Sequence, residues 1–162
     1  MAAALVLDNV ALSAFATADW FDRLAFWDDS YELITPEQIW EQEFTPYHES
    51  FAADTIPSWL SVTTPGTQLS SEEPGALSDN DWRCLVLADE HDGVVITRDQ
   101  KLRAVAHDRD IESEWLGAFV LQTFERCGIS RSAYDSGLAA YLEDSYLPPD
   151  SKAELRGAEK RV

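Results

Sequence analysis

The stretch that decides the fold class is GVVITRD, residues 93–99. A short apolar run that follows a glycine and ends in polar residues is typical of a buried strand in a parallel sheet. The spacing of apolar residues predicts a helix on each side of it, over 78–89 and over 100–107. The run ALVL at 4–7, which ends at Asp8, predicts a second buried strand. Two such strands with helices between them indicate a parallel α/β architecture.

The same alternation of strands and helices extends along most of the chain. Further strands are predicted at 31–34, at 59–62 and, as a last short strand, at Ile111; further helices are predicted at 10–26 with a break near 17–19, at 35–46, around Phe51 and Ala53, at 115–127 and at 130–142. A loop rich in Thr, Ser, Pro and Gly is predicted at 63–75. We therefore expect an α/β fold: a single three-layer α/β/α domain with a central parallel sheet of four or five strands.

Two of the predicted helices begin with capping signals. Ser78 and Asp81 have the spacing of a capping box. Thr35 is expected to be the N-cap of the helix at 35–46, with Pro36 in its first position and Gln38 completing a second box.

Length and composition exclude several classes of protein. The chain has 162 residues, of which 45% are apolar, enough for one domain with its own core. No apolar run approaches the roughly 18–20 residues that span a bilayer. The first residues lack the basic region of a signal peptide. Two cysteines, Cys84 and Cys127, are too few for a disulfide framework or a zinc finger. We expect a cytoplasmic protein without a membrane anchor.

The charge balance is strongly acidic, with 30 Asp and Glu against 12 Lys and Arg and a net charge of −18. The acids are scattered along the chain and are not gathered in a tail. So large an excess repels itself unless salt screens it, which favours a halophilic setting. The alternative is an acidic protein that binds a basic partner.

Four acids stand where ligands bind in open α/β sheets, beyond the carboxyl ends of the strands. Asp8 and Asp99 follow two predicted strands, Asp81 lies in the first turn of a helix, and Glu43 lies in the helix after the second strand. If they converge within reach of one ion, a hard cation such as Mg²⁺ or Mn²⁺ would relieve their repulsion. Each acid also has a structural interpretation: Asp8, Asp81 and Asp99 as helix caps and Glu43 as a surface charge.

The segments around these acids resemble the PIN-domain ribonucleases, the family that includes the VapC toxins. They read LVLD at 5–8, WxxEF at 40–44, LSxxDxxxLVLA at 77–88 and GVVITRDxxLRxVA at 93–106, and their order and spacing agree with the family across 4–111. The resemblance implies a PIN-like, Rossmann-related domain over 1–146, followed by a charged tail over 147–162.

The resemblance also implies a function and a site. The function is Mg²⁺- or Mn²⁺-dependent hydrolysis of RNA phosphodiester bonds, with the chain as a candidate toxin of a toxin–antitoxin pair, and with RNA, an antitoxin protein and a second copy of the chain as partners. The ligands would be Asp8, Glu43, Asp81 and Asp99, with Glu41 competing for the second place and Asp79 for the third; supporting residues would be Thr97 and Asn9, and RNA phosphates would meet Arg98, Lys101 and Arg103. The family usually has Thr or Ser where this chain has Asn9.

Other functions are weighed against this one. A PIN-like binding module without catalysis would use the same acidic groove to receive a basic segment of a partner. A phosphotransferase with Asp8 as nucleophile is disfavoured in its phosphatase form, because the second Asp it requires is replaced by Val10. No P-loop or GxGxxG loop is present. No Ser–His or Cys–His pairing is visible in the sequence. Most of the six tryptophans are expected in the core or in dimer contacts.

Overall fold

The computed structural model describes residues 3–48, 50–66 and 77–127, together with positions 130, 132 and 136. Its centre is one sheet in which every strand pairing is parallel. The five strands are β1 (Ala4–Leu7), β2 (Glu32–Pro36), β3 (Leu60–Thr63), β4 (Gly93–Thr97) and β5 (Glu112–Trp115). The prediction of an α/β domain with a central parallel sheet is confirmed.

The strand order β3-β2-β1-β4-β5 places β1 at the centre of the sheet. The helices are α1 (Asn9–Thr17), α2 (Asp79–His91), α3 (Gln100–Asp108) and α4 (Leu116–Cys127), with a 3₁₀ helix at Phe21–Asp29, a π-helix at Ile39–Phe44 and a short 3₁₀ helix at Thr45–Tyr47. The chain first moves outward from β1 to β2 and β3, and then returns past β1 to β4 and β5. Because the crossover connections are right-handed, these opposite movements put α1 on one face of the sheet and α2 and α3 on the other. Aromatic contacts agree: Phe15 of α1 meets Phe119 of α4 at 5.7 Å, and Arg109 lies over the Trp82 ring of α2 at 4.6 Å.

Tryptophans contribute much of the buried core. Trp20, Trp27, Trp40 and Trp82 are all buried, as predicted for most of the six. The Trp27 indole nitrogen donates to the hydroxyl of Thr123 at 2.9 Å, so this large side chain is buried with its polar atom satisfied. This packing joins the 3₁₀ helix to α4.

Two local predictions are wrong. Thr35 and Pro36 end β2 and do not open a helix, because the Thr35 hydroxyl donates to the Leu7 carbonyl of β1 at 2.8 Å and extends the sheet. Gln38 completes no capping box: its buried Oε1 has no hydrogen-bond partner among the described residues. The segment around Phe51 forms a turn and not a helix, and packs its ring on neighbouring aromatics. The break predicted near 17–19 is confirmed.

Some predicted segments lie outside the described residues. These are the tail over 147–162, most of the loop at 63–75 and, apart from positions 130, 132 and 136, the helix at 130–142. Within the part of the chain that the structure describes, no helix has the length and apolar character to cross a bilayer.

Candidate functional site

The central strands β1 and β4 deliver two of the predicted acids to one edge of the sheet. Leu7 pairs with Ile96 in parallel register, so Asp8 and Asp99 follow strand ends that lie side by side. Asp8 is the N-cap of α1 and Asp99 the N-cap of α3. The helix α2 runs back along the sheet toward the start of β4, so its N-terminus with Asp81 begins at this same carboxyl edge.

Asp8 is the most perturbed of these acids. It is 6% exposed, and its Oδ1 accepts from the Ala11 backbone N–H at 2.8 Å while its Oδ2 accepts from the Thr97 hydroxyl at 2.6 Å. Burial raises the pKa of Asp8 to about 6, and the negative charge of Asp81 adds to this; the two hydrogen bonds and Arg98 act in the opposite direction. Burial therefore makes the charged form of Asp8 destabilising to the fold.

Thr97 links the acids of the two strands. Its Oγ1 donates to Asp8 and accepts from the Asp99 backbone N–H at 3.1 Å. The Oδ1 of Asp99 accepts from the N–H groups of Lys101 and Leu102, so Asp99 caps α3, and its side chain lies at an exposed position. Thr97 thus connects the Asp8 side chain to the backbone at Asp99 through its two hydrogen bonds.

Asp81 is the member of this group contributed by α2. Its side chain and that of Ser78 form the predicted capping box, with the Asp81 N–H donating to Ser78 Oγ at 3.1 Å. Burial raises the pKa of Asp81, and the charge of Asp99 raises it further. Asp79, the alternative at this place, is exposed. Asp81 therefore lies within electrostatic reach of both Asp8 and Asp99.

Glu43 approaches the same region from the π-helix that follows β2. The widened turn is closed by the Thr45 N–H, which donates to the carbonyl of Trp40 five residues earlier. Glu43 is half-buried, whereas Glu41 is exposed. The fully buried thiol of Cys84 on α2 relates Glu43 to the other acids. Burial raises the pKa of Cys84, and the charges of Asp8, Asp81 and Glu43 raise it further, in that order. All three carboxylates therefore lie within electrostatic reach of this thiol.

Helix termini offset part of this negative charge. Three helices, α1, α2 and α3, direct their N-termini and the positive ends of their dipoles toward the carboxyl edge of the sheet. The capping interpretation is correct for Asp8, Asp81 and Asp99, because each accepts backbone hydrogen bonds at a helix start. Capping uses one oxygen of Asp81 and one of Asp99. The second oxygen of each carboxylate therefore takes no part in the cap.

The expectation that the carboxylates converge within reach of one ion is not met. Among residues 3–48, 50–66 and 77–127, no three His, Cys, Asp or Glu side chains form a group that could hold a metal ion. The carboxylates repel each other when no cation neutralises them, and this repulsion accounts for their separation. The donor set still fits a hard divalent cation in its chemistry, since it consists of carboxylate oxygens and includes one, on Asp8, that burial makes costly to ionise.

Asn9 takes part in a contact that the sequence did not predict. Its Oδ1 accepts from the Ser13 hydroxyl at 3.3 Å, and Ser13 Oγ lies 3.1 Å from His48 Nε2. The structure thus contains a Ser–His contact that is not visible in the sequence. The His48 ring stacks on Phe44 at 4.6 Å, and burial lowers the pKa of His48. The two residues are 35 positions apart, and no local pattern could have revealed the contact.

Comparison of the chain with protein-family models, with curated proteins and with solved structures finds no match.

Proposed function

We propose that this protein is a metal-dependent ribonuclease that hydrolyses RNA phosphodiester bonds. Asp8, Glu43, Asp81 and Asp99 are the proposed ligands of Mg²⁺ or Mn²⁺. The observation that carries the proposal is Asp8, a carboxylate buried at the carboxyl edge of the sheet with its pKa raised to about 6. Burying such a group lowers the stability of the fold, and ionisable groups with strongly shifted pKa values cluster at functional sites.

The residues around Asp8 support the same proposal. Thr97 holds Asp8 by a 2.6 Å hydrogen bond and fixes the backbone of Asp99 by a second one. The charge of Asp99 makes ionisation of Asp81 more costly, as expected for a carboxylate in a cluster of acids that a bound cation would relieve. A divalent cation bound by these acids supplies a more acidic water molecule and neutralises charge on the attacked phosphate. The chain itself orients the acids and contributes Arg98 as a nearby positive charge.

RNA cleavage in the presence and absence of Mn²⁺ tests the proposal, with Asp99→Asn as the decisive variant. Asparagine caps a helix about as well as aspartate, so α3 should remain intact. Cleavage and Mn²⁺ affinity should both fall by orders of magnitude, because one charge leaves the ligand set. Asp22→Asn is the matched control, since it removes a charge from an exposed residue of the 3₁₀ helix Phe21–Asp29 that is not among the proposed ligands. Full metal-dependent cleavage by Asp99→Asn would refute the assignment.

A second candidate is a binding module without catalysis, and one observation favours it. The acids form no closed ligand group among the described residues, as would suit a groove that receives Lys or Arg side chains of a partner. An antitoxin with a basic tail is one such partner under either proposal. A wild-type protein that binds a basic peptide at this edge but cleaves no RNA with Mn²⁺ would favour the second candidate.

A further inference from the structure

A groove with a volume of about 770 Å³ runs between α3 and the start of β5. One wall is formed by Gln100, Arg103 and His107, which follow one another along one side of α3. The other wall includes Asp110 and Glu112 at the opposite end from Gln100. The groove therefore carries a cationic residue in its middle and acids at its far end.

Arg103 is the unusual residue of this groove. Its Nε is buried and has no hydrogen-bond partner among the residues that the structure describes. Its charge acts on Glu114 of β5, where it helps to lower a pKa that burial raises. A buried donor without a partner is destabilising unless a ligand supplies an acceptor. Arg103, which lines the groove, therefore has a donor with no partner among the described residues, in a chain with only 12 Lys and Arg residues.

The groove opens beside the acids of the candidate site. Gln100 follows Asp99 directly, and Arg103 lies about one helical turn beyond Asp99 on α3. A polymer whose reacting phosphate is held at Asp99 would therefore extend toward Arg103. The side chain matches a phosphate, because Nε and a terminal nitrogen of arginine bind two phosphate oxygens at once.

We propose that Arg103 binds a backbone phosphate of an RNA strand next to the phosphate that is cleaved. The inference rests on the proposed function and adds the path of the substrate to it. Asp110 and Glu112 repel phosphates, so the strand leaves the groove before its far end. Among the three basic residues that the sequence singled out, the structure assigns this role to Arg103 and not to the exposed Lys101.

Binding of a fluorescein-labelled single-stranded RNA, followed by anisotropy with Ca²⁺ in place of Mg²⁺, tests the inference. Arg103→Gln should weaken binding about tenfold, as expected for one charge-assisted hydrogen bond. It should also reduce the slope of log K against log salt by about 0.7, the value for one single-strand phosphate contact. Arg103→Lys should recover the slope but only part of the affinity, because lysine has no Nε donor.

The matched control is Arg23→Gln, which removes the same charge from an exposed residue outside the groove and should leave affinity and slope unchanged. Gln100→Glu provides a second test at an exposed position: a negative charge in the groove should weaken binding while thermal unfolding stays unchanged. If Arg103→Gln fails to fold, RNA binding by Gln100→Glu tests the inference in its place: weaker binding supports it and unchanged binding overturns it.

Cleavage by the wild type separates the inference from the proposed function. If the wild type cleaves RNA with Mn²⁺ but Arg103→Gln and Gln100→Glu bind like Arg23→Gln, the inference is overturned and the ribonuclease stands. If RNA binds through Arg103 without being cleaved, the groove assignment stands and the catalytic proposal fails. If the wild type neither binds nor cleaves RNA, both are overturned.

Discussion

Asp8→Asn should stabilise the fold at neutral pH in the absence of divalent metal. The pKa of Asp8 rises from 3.8 to about 6 on folding, which makes the charged form about 3 kcal/mol less favourable in the native state. Asparagine removes that cost and keeps the acceptor for the Ala11 N–H. It places an N–H₂ group against the Thr97 hydroxyl, at a loss of about 1 kcal/mol. The expected net gain is about 2 kcal/mol at pH 7.

The raised pKa of Asp8 also determines how the free energy of unfolding changes with pH. Between pH 3.8 and about 6 the native state binds more protons at Asp8 than the unfolded state, so wild-type stability falls as pH rises through this window. The raised pKa of Asp81 acts in the same direction. Asp8→Asn should lack most of this decline, and its advantage over wild type should vanish below about pH 4.

Urea unfolding from about pH 4 to pH 7 at constant high KCl with EDTA measures both effects. Asp22→Asn, an exposed acid of the 3₁₀ helix, is the control for the loss of one negative charge. Wild-type stability that stays flat or rises through the window, with Asp8→Asn no more stable than Asp22→Asn at pH 7, would refute the reasoning.

Three further predictions concern the same edge of the sheet and the charge of the whole chain. Thr97→Val should raise the pKa of Asp8 above its wild-type value, because the hydroxyl bond favours the charged form, and NMR titration of the Asp8 carboxyl checks this. Ser78→Ala should cost about 1 kcal/mol in urea unfolding by removing the cap of α2; an unchanged midpoint would contradict the capping role. Lowering KCl should lower the melting temperature, since a net charge of −18 is then less screened; a flat or rising melting temperature counts against the halophilic interpretation.

The parts of this fold that could be predicted depend on neighbouring residues. Apolar runs next to glycine and aspartate identified β1 and β4, and the capping box of Ser78 and Asp81 located the start of α2. Such signals need only a few consecutive residues, because strand burial and helix capping are set by contacts within one or two turns. The parallel sheet, and with it the common edge for Asp8 and Asp99, followed from the alternation of these elements.

The remaining features were decided by tertiary structure, because they join residues that are far apart in the chain. The hydroxyl of Thr97 reaches Asp8 across 89 positions only because β4 pairs beside β1. Strand pairing also overrides the helix-start signal of Thr35, whose hydroxyl bonds to β1. The burial of Arg103 Nε, which has no hydrogen-bond partner within the described ranges, depends on how α3 packs against β5. Sequence alone thus determined which acids end the strands, whereas packing determined their burial and ionisation, because desolvation depends on every element around a group.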